Sequence, residues 1–346
     1  MAGRIGRRTF AALIAAGMAA PAIAAGAPAR TLVKPPRLKP GGVIGLVAPG
    51  GYTTEAAIAK AVRNIDSLGC RVKYGANLRA VFGNYGGTVQ QRVDDVHAMF
   101  ADPEVDAIWA IHGGSGCISL LASLDYALIR SHPKILLGYS DITALHLAIH
   151  RCAGLVTFHG PVASSTLSDY AREQLLAVLF DPQPQTRIPM SSANAYEGLT
   201  DPLYATRTIH AGLATGVLMG GNLSMVSALA GTPYAADIAG ALLFLEDVNE
   251  APYRIDRWMT QIDLAGGLCN AAAVIIGICE NCAPEADDPS LTLAQTLALH
   301  LDPLPIPAVT GYSIGHIRNQ CTLPIGIQAT LDTRRQTITL HAAAVV

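Results

Sequence analysis

The turn between a short apolar strand and a helix carries the residue best suited to covalent chemistry, Ser140. The run KILLGYSDI at 134–142 is typical of a buried strand that passes through a tight turn into a helix. This layout indicates a nucleophile elbow, which exposes a serine hydroxyl at the carboxyl end of the strand. Gly138 leaves room for the turn, although Ile142 stands where the usual motif has a second glycine. By position alone, Ser140 is equally compatible with a helix N-cap.

A glycine-rich loop, HGGSG at 112–116, follows the preceding predicted strand. Adjacent glycines let backbone N–H groups point into a pocket, as the oxyanion hole of an acyl-transfer enzyme requires. A flexible turn between a strand and a helix accounts equally well for such a pair. The motif alone leaves both interpretations open.

Two more predicted strands end in side chains that titrate. Glu246 and Asp247 follow the apolar strand 241–245, and His316 lies in a glycine loop after the strand 307–311. A serine nucleophile needs a base, and the base needs an acid that holds its tautomer. Ser140, Glu246 and His316 would supply all three. Because the chain has 10 histidines and 26 acidic residues, the spacing alone does not identify a site.

The first half of the chain must position the serine and the glycine loop. Strands are predicted at 43–47, 71–75, 107–111 and 134–138, with helices near 54–68, 87–101, 117–131 and 142–153. Continuous apolar strands that alternate with helices indicate a parallel sheet covered on both faces. The functional loops of such a sheet lie at the carboxyl ends of its strands. We therefore predict an α/β, Rossmann-like parallel-sheet domain over residues 31–165.

The pattern of helices and strands in the second half of the chain predicts a mixed α+β domain over residues 211–346. Its predicted elements are helices at 223–230, 251–265 and 291–301, strands at 241–245, 272–278 and 307–311, and a terminal hairpin at 327–343. The segment 166–210 mixes Ser, Asp, Pro and Thr without clear periodicity. It is predicted to be a linker between the two domains.

Residues 1–30 are typical of a secretory signal peptide. They carry three arginines by position 8, an apolar stretch at 10–20, and small residues at 22–24 and 27–29 that suit cleavage. The pair of arginines in RRTF at 7–10 matches the twin-arginine pattern, which predicts export of the folded protein to the periplasm. A general secretory signal and an uncleaved anchor are the alternatives.

The composition of the 346 residues excludes several classes of protein. The chain is 51% hydrophobic and 14% charged, with 24 basic and 26 acidic residues, whereas soluble domains average about 25% charged residues. A net charge of −2 gives no electrostatic footprint for nucleic acid. Glycine, proline, aspartate or arginine interrupts every later apolar run before the roughly 20 residues that span a membrane. Seven cysteines with one CxxC at 279–282 complete neither a disulfide scaffold nor a zinc set, and no metal or cofactor is predicted.

A series of longer segments carries a family resemblance. They are VIGLVAPG at 43–50, FADPEVDAIWAIHGGSG at 100–116, LDYALIRSHPKILLGYSDITALHLAI at 124–149, TFHGPV at 157–162, GGNLSMVSALAGTPY at 220–234, LLFLEDVNEAPYRIDRWMTQI at 242–262 and GYSIGHIRNQCTLPIG at 311–326. Together they make the chain resemble the LD-carboxypeptidases (muramoyltetrapeptide carboxypeptidases) and their relatives, the microcin C self-immunity proteins. The resemblance covers residues 42–328, which include both predicted domains.

The resemblance implies a catalytic site in the groove between the two domains. By position in the family motifs, Ser140 is the nucleophile, Glu246 the acid and His316 the base. The same motifs imply an oxyanion hole built from the backbone N–H groups of Asp141, Gly113 and Gly114. The family also implies a homodimer.

The glycine loop departs from the family pattern. The family commonly reads Arg-Gly-Gly-Tyr-Gly, where this chain has His112 and Ser115 in place of the arginine and the tyrosine. Both residues are therefore candidates for binding the carboxylate or the peptide stem of the substrate. Gly50 also stands where a serine is frequent, and neither departure involves the implied triad.

The resemblance implies removal of the terminal D-alanine from murein tetrapeptides during peptidoglycan turnover. Muropeptides are thus the expected partner, with no nucleic acid and no stable membrane insertion once the signal is cleaved. A related amidase acting on another peptide or an acyl-adenylate amide is one alternative. A periplasmic protein that binds muropeptides without catalysis is the other.

Overall fold

The computed structural model describes residues 31–285 and 289–346, so the predicted signal peptide at 1–30 lies outside the described residues. Residues Leu32–Val346 form one compact unit. Across the described ranges, no helix is both long and apolar enough to cross a membrane.

Fourteen strands and nine α-helices are named within the described ranges. The strands are β1 (Val43–Val47), β2 (Arg71–Tyr74), β3 (Ala107–Ala110), β4 (Ile135–Gly138), β5 (Thr157–His159), β6 (Thr186–Pro189), β7 (Arg207–His210), β8 (Leu213–Asn222), β9 (Ala241–Glu246), β10 (Ala273–Gly277), β11 (Ala308–Tyr312), β12 (Leu323–Ile325), β13 (Gln328–Asp332) and β14 (Thr337–Leu340). The helices are α1 (Glu55–Ser67), α2 (Val89–Ala101), α3 (Tyr126–Ser131), α4 (Thr143–Ala153), α5 (Asp169–Leu179), α6 (Ser192–Glu197), α7 (Leu223–Leu229), α8 (Pro252–Gly266) and α9 (Leu293–Leu301).

The first sheet has six strands in the order β12-β5-β4-β3-β1-β2. Strands β1 to β5 run parallel, and every residue of β1, β3, β4 and β5 is buried. Because both faces of these strands are buried, their residues do not alternate between apolar and polar. The strands therefore appear in the sequence as continuous apolar runs. The predicted parallel α/β sheet is confirmed.

The second sheet has eight strands in the order β6-β14-β13-β8-β9-β10-β11-β7. Its centre, β8 to β11, is parallel, and the strands outside it pair antiparallel. This confirms the predicted mixed α+β architecture. The predicted terminal hairpin is present as β13 and β14.

Local sequence explains where several helices begin and end. Thr88 and Gln91 form a capping box at the start of α2, so two backbone donors that lack helical partners are satisfied. Gly154 ends α4 in the left-handed region, with φ 70°, where glycine carries no Cβ penalty. These caps fix where α2 begins and where α4 ends.

The segment 166–210 differs from the predicted linker. It contains α5, β6, α6 and β7, and its two strands form the outer edges of the second sheet. In β6 only every second residue is buried, and the strand ends in Pro189, which suits an edge because proline cannot donate to a ladder. Four-residue edge strands give too short a pattern for periodicity to reveal.

Two more elements differ from the sequence expectation. The predicted helix 117–131 is broken into a 3₁₀ turn at Cys117–Ser123 and the helix α3, because Asp125 caps α3 anew by accepting from two backbone N–H groups. Strand β12 comes from the last part of the chain but pairs antiparallel with β5 of the first sheet. The C-terminal region therefore contributes a strand to the first sheet.

Candidate active site

Ser140 lies in the sharp turn that follows β4, at the carboxyl end of that strand. Its φ is 64°, a left-handed conformation that is uncommon for a residue with a side chain. A helix N-cap has extended backbone instead, and here that position belongs to Tyr139, with φ −152°. The backbone is therefore that of an elbow. Glycine suits position 138, since a Cβ there would lie only 3.1 Å from the side chain of Ile142.

The glycine loop packs directly against the elbow. A Cβ on Gly113 would lie 2.8 Å from Cβ and 2.9 Å from Oγ of Ser140, so only glycine fits this close approach. Gly114 has a φ of 88°, and the Gly113 carbonyl accepts the N–H of Gly51 at 2.7 Å. Within the part of the chain that the structure describes, the N–H groups of Gly113 and Gly114 donate no backbone hydrogen bond.

The Asp141 carboxylate ties the elbow to the glycine loop. Its Oδ2 accepts the backbone N–H of Cys117 at 2.8 Å, in buried surroundings. Burial raises the pKa of Asp141, and the hydrogen bonds from Cys117 partly oppose that rise. The backbone N–H of Asp141 belongs to the first helical turn after the serine, where N–H groups have no intrahelical acceptor. The backbone of Asp141 and that of Gly113 thus lie directly beside Ser140.

Glu246 and His316 form a buried hydrogen-bonded pair. Glu246 is the last residue of β9, and its side chain is 0% exposed. Its Oε2 lies 2.8 Å from Nδ1 of His316, which follows β11. Gly315, with φ 130°, brings the two together, because a Cβ there would meet the Ile278 carbonyl at 2.5 Å and Glu246 at 3.5 Å.

The pair favours its charged forms. Burial opposes ionisation of Glu246, but the charge and the hydrogen bond of His316 outweigh it, so the pKa of Glu246 lies below its ordinary value. Burial also lowers the pKa of His316, but Glu246 outweighs this and the net shift is upward. The arrangement is suited to stabilising an imidazolium.

The His316 ring packs beside the elbow, tilted by 56° to the ring of Tyr139. Its centroid lies 4.6 Å from that of Tyr139, the residue before Ser140. Nδ1 bonds to Glu246, and within residues 31–285 and 289–346 Nε2 has no hydrogen-bonding partner. Ser140 and His316 are not hydrogen bonded to one another in these described ranges. The structure thus places His316 against the elbow with its outer nitrogen available.

A second contact fixes the two sheets relative to each other near this point. The backbone N–H of Asn222, at the end of β8, donates to Oγ1 of Thr143 at 3.0 Å. Thr143 opens α4, three residues after Ser140, and Asn222 is the register partner of Glu246. The closeness is possible because Gly221, with φ 135°, has no side chain to clash with Thr143. The elbow helix is thereby held against the strand end that carries Glu246.

The neighbouring carboxyl group, Asp247, has a different environment. It accepts hydrogen bonds from the Asn222 side chain and from the backbone N–H groups of Ser224 and Val248, at 2.9–3.1 Å. Burial and the adjacent Glu246 charge raise the pKa of Asp247 to about 6. Asp247 contacts no part of the elbow in these bonds, so it braces the start of α7.

The two candidates for substrate binding lie on the rim of the glycine loop. His112 is exposed, and Oγ of Ser115 accepts a hydrogen bond from the Asn84 amide at 3.0 Å. Desolvation and the nearby charge of His316 lower the pKa of His112, although Asp141 opposes the shift. His112 therefore lies within electrostatic reach of both the base and the elbow.

Sequence reasoning did not single out Tyr139, Thr143, Asn222 or His159. All four stand in segments that carry the family resemblance, at 124–149, 157–162 and 220–234, and that membership was the available signal. Asn222 and His159 come from other strands, and only pairing across the sheets brings them near Glu246.

A cavity of about 510 Å³ lies elsewhere in the C-terminal region, between β10, β11 and α9. Its lining is largely apolar and includes Cys279 and Cys282. Ser140, Glu246 and His316 do not line it, so it is separate from the candidate site. No disulfide joins any cysteines in the described ranges, and five of the seven are buried.

Comparisons with known proteins agree with this architecture. Residues 44–160 match the LD-carboxypeptidase N-terminal domain and residues 215–331 the C-terminal domain of the same family. A Bacillus subtilis protein named probable murein peptide carboxypeptidase is 37% identical over 311 residues, which cover 89% of this chain and 94% of that protein. The crystal structure of muramoyltetrapeptide carboxypeptidase from Oxalobacter formigenes is 29% identical, with a TM-score of 0.73 over 86% of this chain and 97% of that one. The Escherichia coli microcin C7 self-immunity protein MccF is 26% identical over 314 residues, 85% of this chain and 90% of that protein.

The fold and the family matches place the chain among hydrolases with a two-domain α/β fold, in the carboxypeptidase class. More narrowly, the chain belongs to the LD-carboxypeptidase family, in which murein peptide carboxypeptidases and MccF-like proteins are its relatives. The resemblance stated from sequence motifs is confirmed.

Proposed function

We propose that this protein is a serine LD-carboxypeptidase that removes the terminal D-alanine from murein tetrapeptides, with Ser140, His316 and Glu246 as its triad. The observation that carries the proposal is the 2.8 Å hydrogen bond between the buried Glu246 and His316, next to a serine held at positive φ. The names of the murein peptide carboxypeptidases in the family support the substrate class.

In the first step His316 acts as the base. Because Nδ1 carries the proton bonded to Glu246, Nε2 presents its lone pair toward the elbow. It removes the hydroxyl proton of Ser140 as Oγ attacks the amide carbon before the terminal D-alanine. The imidazolium that forms is stabilised by the Glu246 carboxylate, which burial keeps dry and strongly interacting.

The backbone donors around the elbow stabilise the oxyanion. The bond from the Cys117 N–H to Asp141 and the bond from the Gly51 N–H to the Gly113 carbonyl hold the glycine loop against the elbow. The N–H groups of Gly113, Gly114 and Asp141 therefore need little reorganisation when charge develops. His316 then passes its proton to the leaving amine, and D-alanine departs. Water, deprotonated by the same histidine, hydrolyses the acyl-enzyme and restores Ser140.

The rim of the site would recognise the peptide end. His112 stands at the mouth of the glycine loop and is exposed, so its imidazole can donate a hydrogen bond to the D-alanine carboxylate. Ser115, held by Asn84, offers a hydroxyl to the stem peptide. Both roles extend the sequence interpretation of these two residues.

We further propose that the protein works in the periplasm, after export by the twin-arginine route, and that it is a homodimer. The arginine pair and apolar stretch in residues 1–30 support export. The family supports the dimer. Fractionation of cells expressing the full chain, and the molar mass of the mature protein by light scattering, test the two proposals.

The decisive experiment is incubation of the purified protein with disaccharide tetrapeptide, followed by mass spectrometry. Wild type should release one alanine per molecule, and Ser140→Ala should lose roughly a thousandfold or more in turnover. Equal release by both proteins would refute Ser140 as the nucleophile. Ser164→Ala, which removes a hydroxyl bonded to the Ile111 carbonyl, is the matched control and should retain activity.

A structure of the related microcin C7 self-immunity protein MccF is in complex with aspartyl sulfamoyl adenosine. This relationship favours one second candidate function, hydrolysis of an acyl-sulfamoyl adenylate amide by the same triad. Incubation with an aminoacyl-sulfamoyl adenosine distinguishes this function from the removal of D-alanine. Cleavage of that compound with no release of alanine from tetrapeptide would replace the proposed substrate. Binding of tetrapeptide with no cleavage of either compound would indicate a muropeptide-binding protein instead.

A further inference from the structure

His159 is a fully buried histidine that the catalytic scheme above does not use. It ends β5 and is 0% exposed. Within the described residues, neither Nδ1 nor Nε2 has a hydrogen-bonding partner. A neutral imidazole always carries one N–H and one acceptor nitrogen, and buried polar groups in proteins are nearly always paired. We therefore expect the imidazole of His159 to have a hydrogen-bonding partner.

The ring faces the strand that carries the acid. Its centroid lies 5.2 Å from that of Phe244, edge to face, and 6.0 Å from that of Tyr139. Phe244 and Glu246 are two residues apart on β9, so their side chains leave the same face of the strand. The ring of His159 thus lies on the face from which Glu246 projects.

Glu246 has an unused acceptor. Oε2 bonds to His316, whereas Oε1 is buried and has no partner among the described residues. A carboxylate oxygen buried without a donor is costly. The Asn222 amide also approaches Glu246, but its Nδ2 donates to Asp247 at 3.1 Å.

We propose that His159 is a positioning residue, which donates an N–H to Oε1 of Glu246 through one buried water and so keeps Oε2 aimed at His316. The proposal rests on the proposed function, since it assigns the acid of that triad a second partner. Burial lowers the pKa of His159 to about 4, so the ring is neutral at working pH and orients the carboxylate without adding a charge.

The test compares His159→Phe with His159→Gln and His159→Asn. Phenylalanine keeps the aromatic packing and removes both nitrogens, whereas the two amides place an N–H near the positions of Nε2 and Nδ1. We expect His159→Phe to lower kcat about tenfold to a hundredfold, as loss of such outer partners does elsewhere, with KM within twofold. At least one amide variant should recover kcat to within threefold of wild type.

A double-mutant cycle with Glu246→Gln tests whether the loss of kcat in His159→Phe depends on the Glu246 carboxylate. If His159 acts through the carboxylate, His159→Phe should lower the rate less than threefold in that background. Thr157→Val is the matched control, since it removes a buried, unpartnered hydroxyl two residues earlier on β5, and it should leave kcat unchanged.

Three results would overturn the proposal: kcat of His159→Phe within twofold of wild type, an undiminished loss in the Glu246→Gln background, or no recovery by either amide. Thermal unfolding of each variant checks the fold, and His159→Met replaces the phenylalanine variant if the latter is unfolded. The rate of covalent labelling of Ser140 by a fluorophosphonate is measured alongside kcat. Labelling of Ser140 without release of alanine would refute the proposed substrate. In that case the labelling rates of wild type, the His159 variants and the Glu246→Gln background still test the role of His159.

Discussion

A Cβ added to Gly113 would lie 2.8 Å from Cβ of Ser140, so the glycine loop and the elbow are in contact across a gap that admits no side chain. The contact leaves no room for a larger residue than glycine beside the serine. It also makes Gly113 a sensitive probe, because its backbone is not in the left-handed region. A substitution there acts by steric contact and not by backbone strain.

Gly113→Ala should therefore lower kcat by about a hundredfold, the order expected when one oxyanion donor is displaced. The Cβ must push the loop or the serine from its position. Gly51→Ala is the control, since its Cβ would meet its neighbours at 3.3 Å or more and should cost only a few-fold. Steady-state kinetics on tetrapeptide measure kcat of both variants. Equal values for the two would contradict the role given to Gly113.

The free energy of unfolding of Ser140→Gly should equal that of Ser140→Ala or exceed it by up to about 1 kcal/mol. The residue has φ 64°, and the left-handed region costs a residue with a side chain about 1–2 kcal/mol, which exceeds the entropy that glycine loses on folding. Both variants should lack activity. Urea unfolding of the two inactive variants measures the difference, and a clearly more stable alanine variant would show that the elbow is unstrained.

The acid limb of kcat/KM should lie above pH 6.5, the ordinary pKa of histidine. Glu246 raises the pKa of His316, so the imidazole keeps its proton, and stays inactive as a base, to higher pH. Glu246→Gln should move this limb to lower pH and reduce the maximum about 10³- to 10⁴-fold. A pH profile whose acid limb is identical in the two proteins would contradict the role of Glu246.

Asp247 should make the folded state less stable as the pH rises through about 6. Its pKa is raised from 3.8 to about 6 in the fold, so its contribution is fully present below 3.8 and is lost above the folded pKa. Relative to Asp247→Asn, wild type should lose on the order of 3 kcal/mol between pH 3 and pH 7. Unfolding free energies of both proteins across this range give the comparison, and an equal change in the two proteins would contradict the raised pKa of Asp247.

His112→Arg should lower KM for tetrapeptide, chiefly above pH 7. The lowered pKa of His112 leaves it neutral there, so it offers a hydrogen bond but no fixed charge to the substrate carboxylate. Arginine restores a permanent cation. KM measured at pH 6 and pH 8 for both proteins tests this, and an unchanged KM at both values would remove His112 from the carboxylate subsite.

Much of the positioning framework was predictable from short apolar runs. Strands β1, β3 and β4 are buried on both faces, and such strands stand out as unbroken apolar segments between polar helices. The ends of these strands were therefore placed to within a residue or two. The sheet order and the edge strands were not predictable, since β6, β7 and β12 have three or four residues each and are defined by the partner they pair with.

The sequence by itself determined the residue types and the loops in which they occur: a serine after a strand, a glycine pair, a carboxylate at a strand end and a histidine between glycines. Only the tertiary structure decided that Ser140 is in an elbow and not an N-cap, because that depends on a single φ. Only the tertiary structure joined Glu246 to His316, 70 residues apart, since hydrogen bonds between strand ends depend on sheet pairing. The same pairing brought the buried His159 toward Glu246, a relationship that no local pattern encodes.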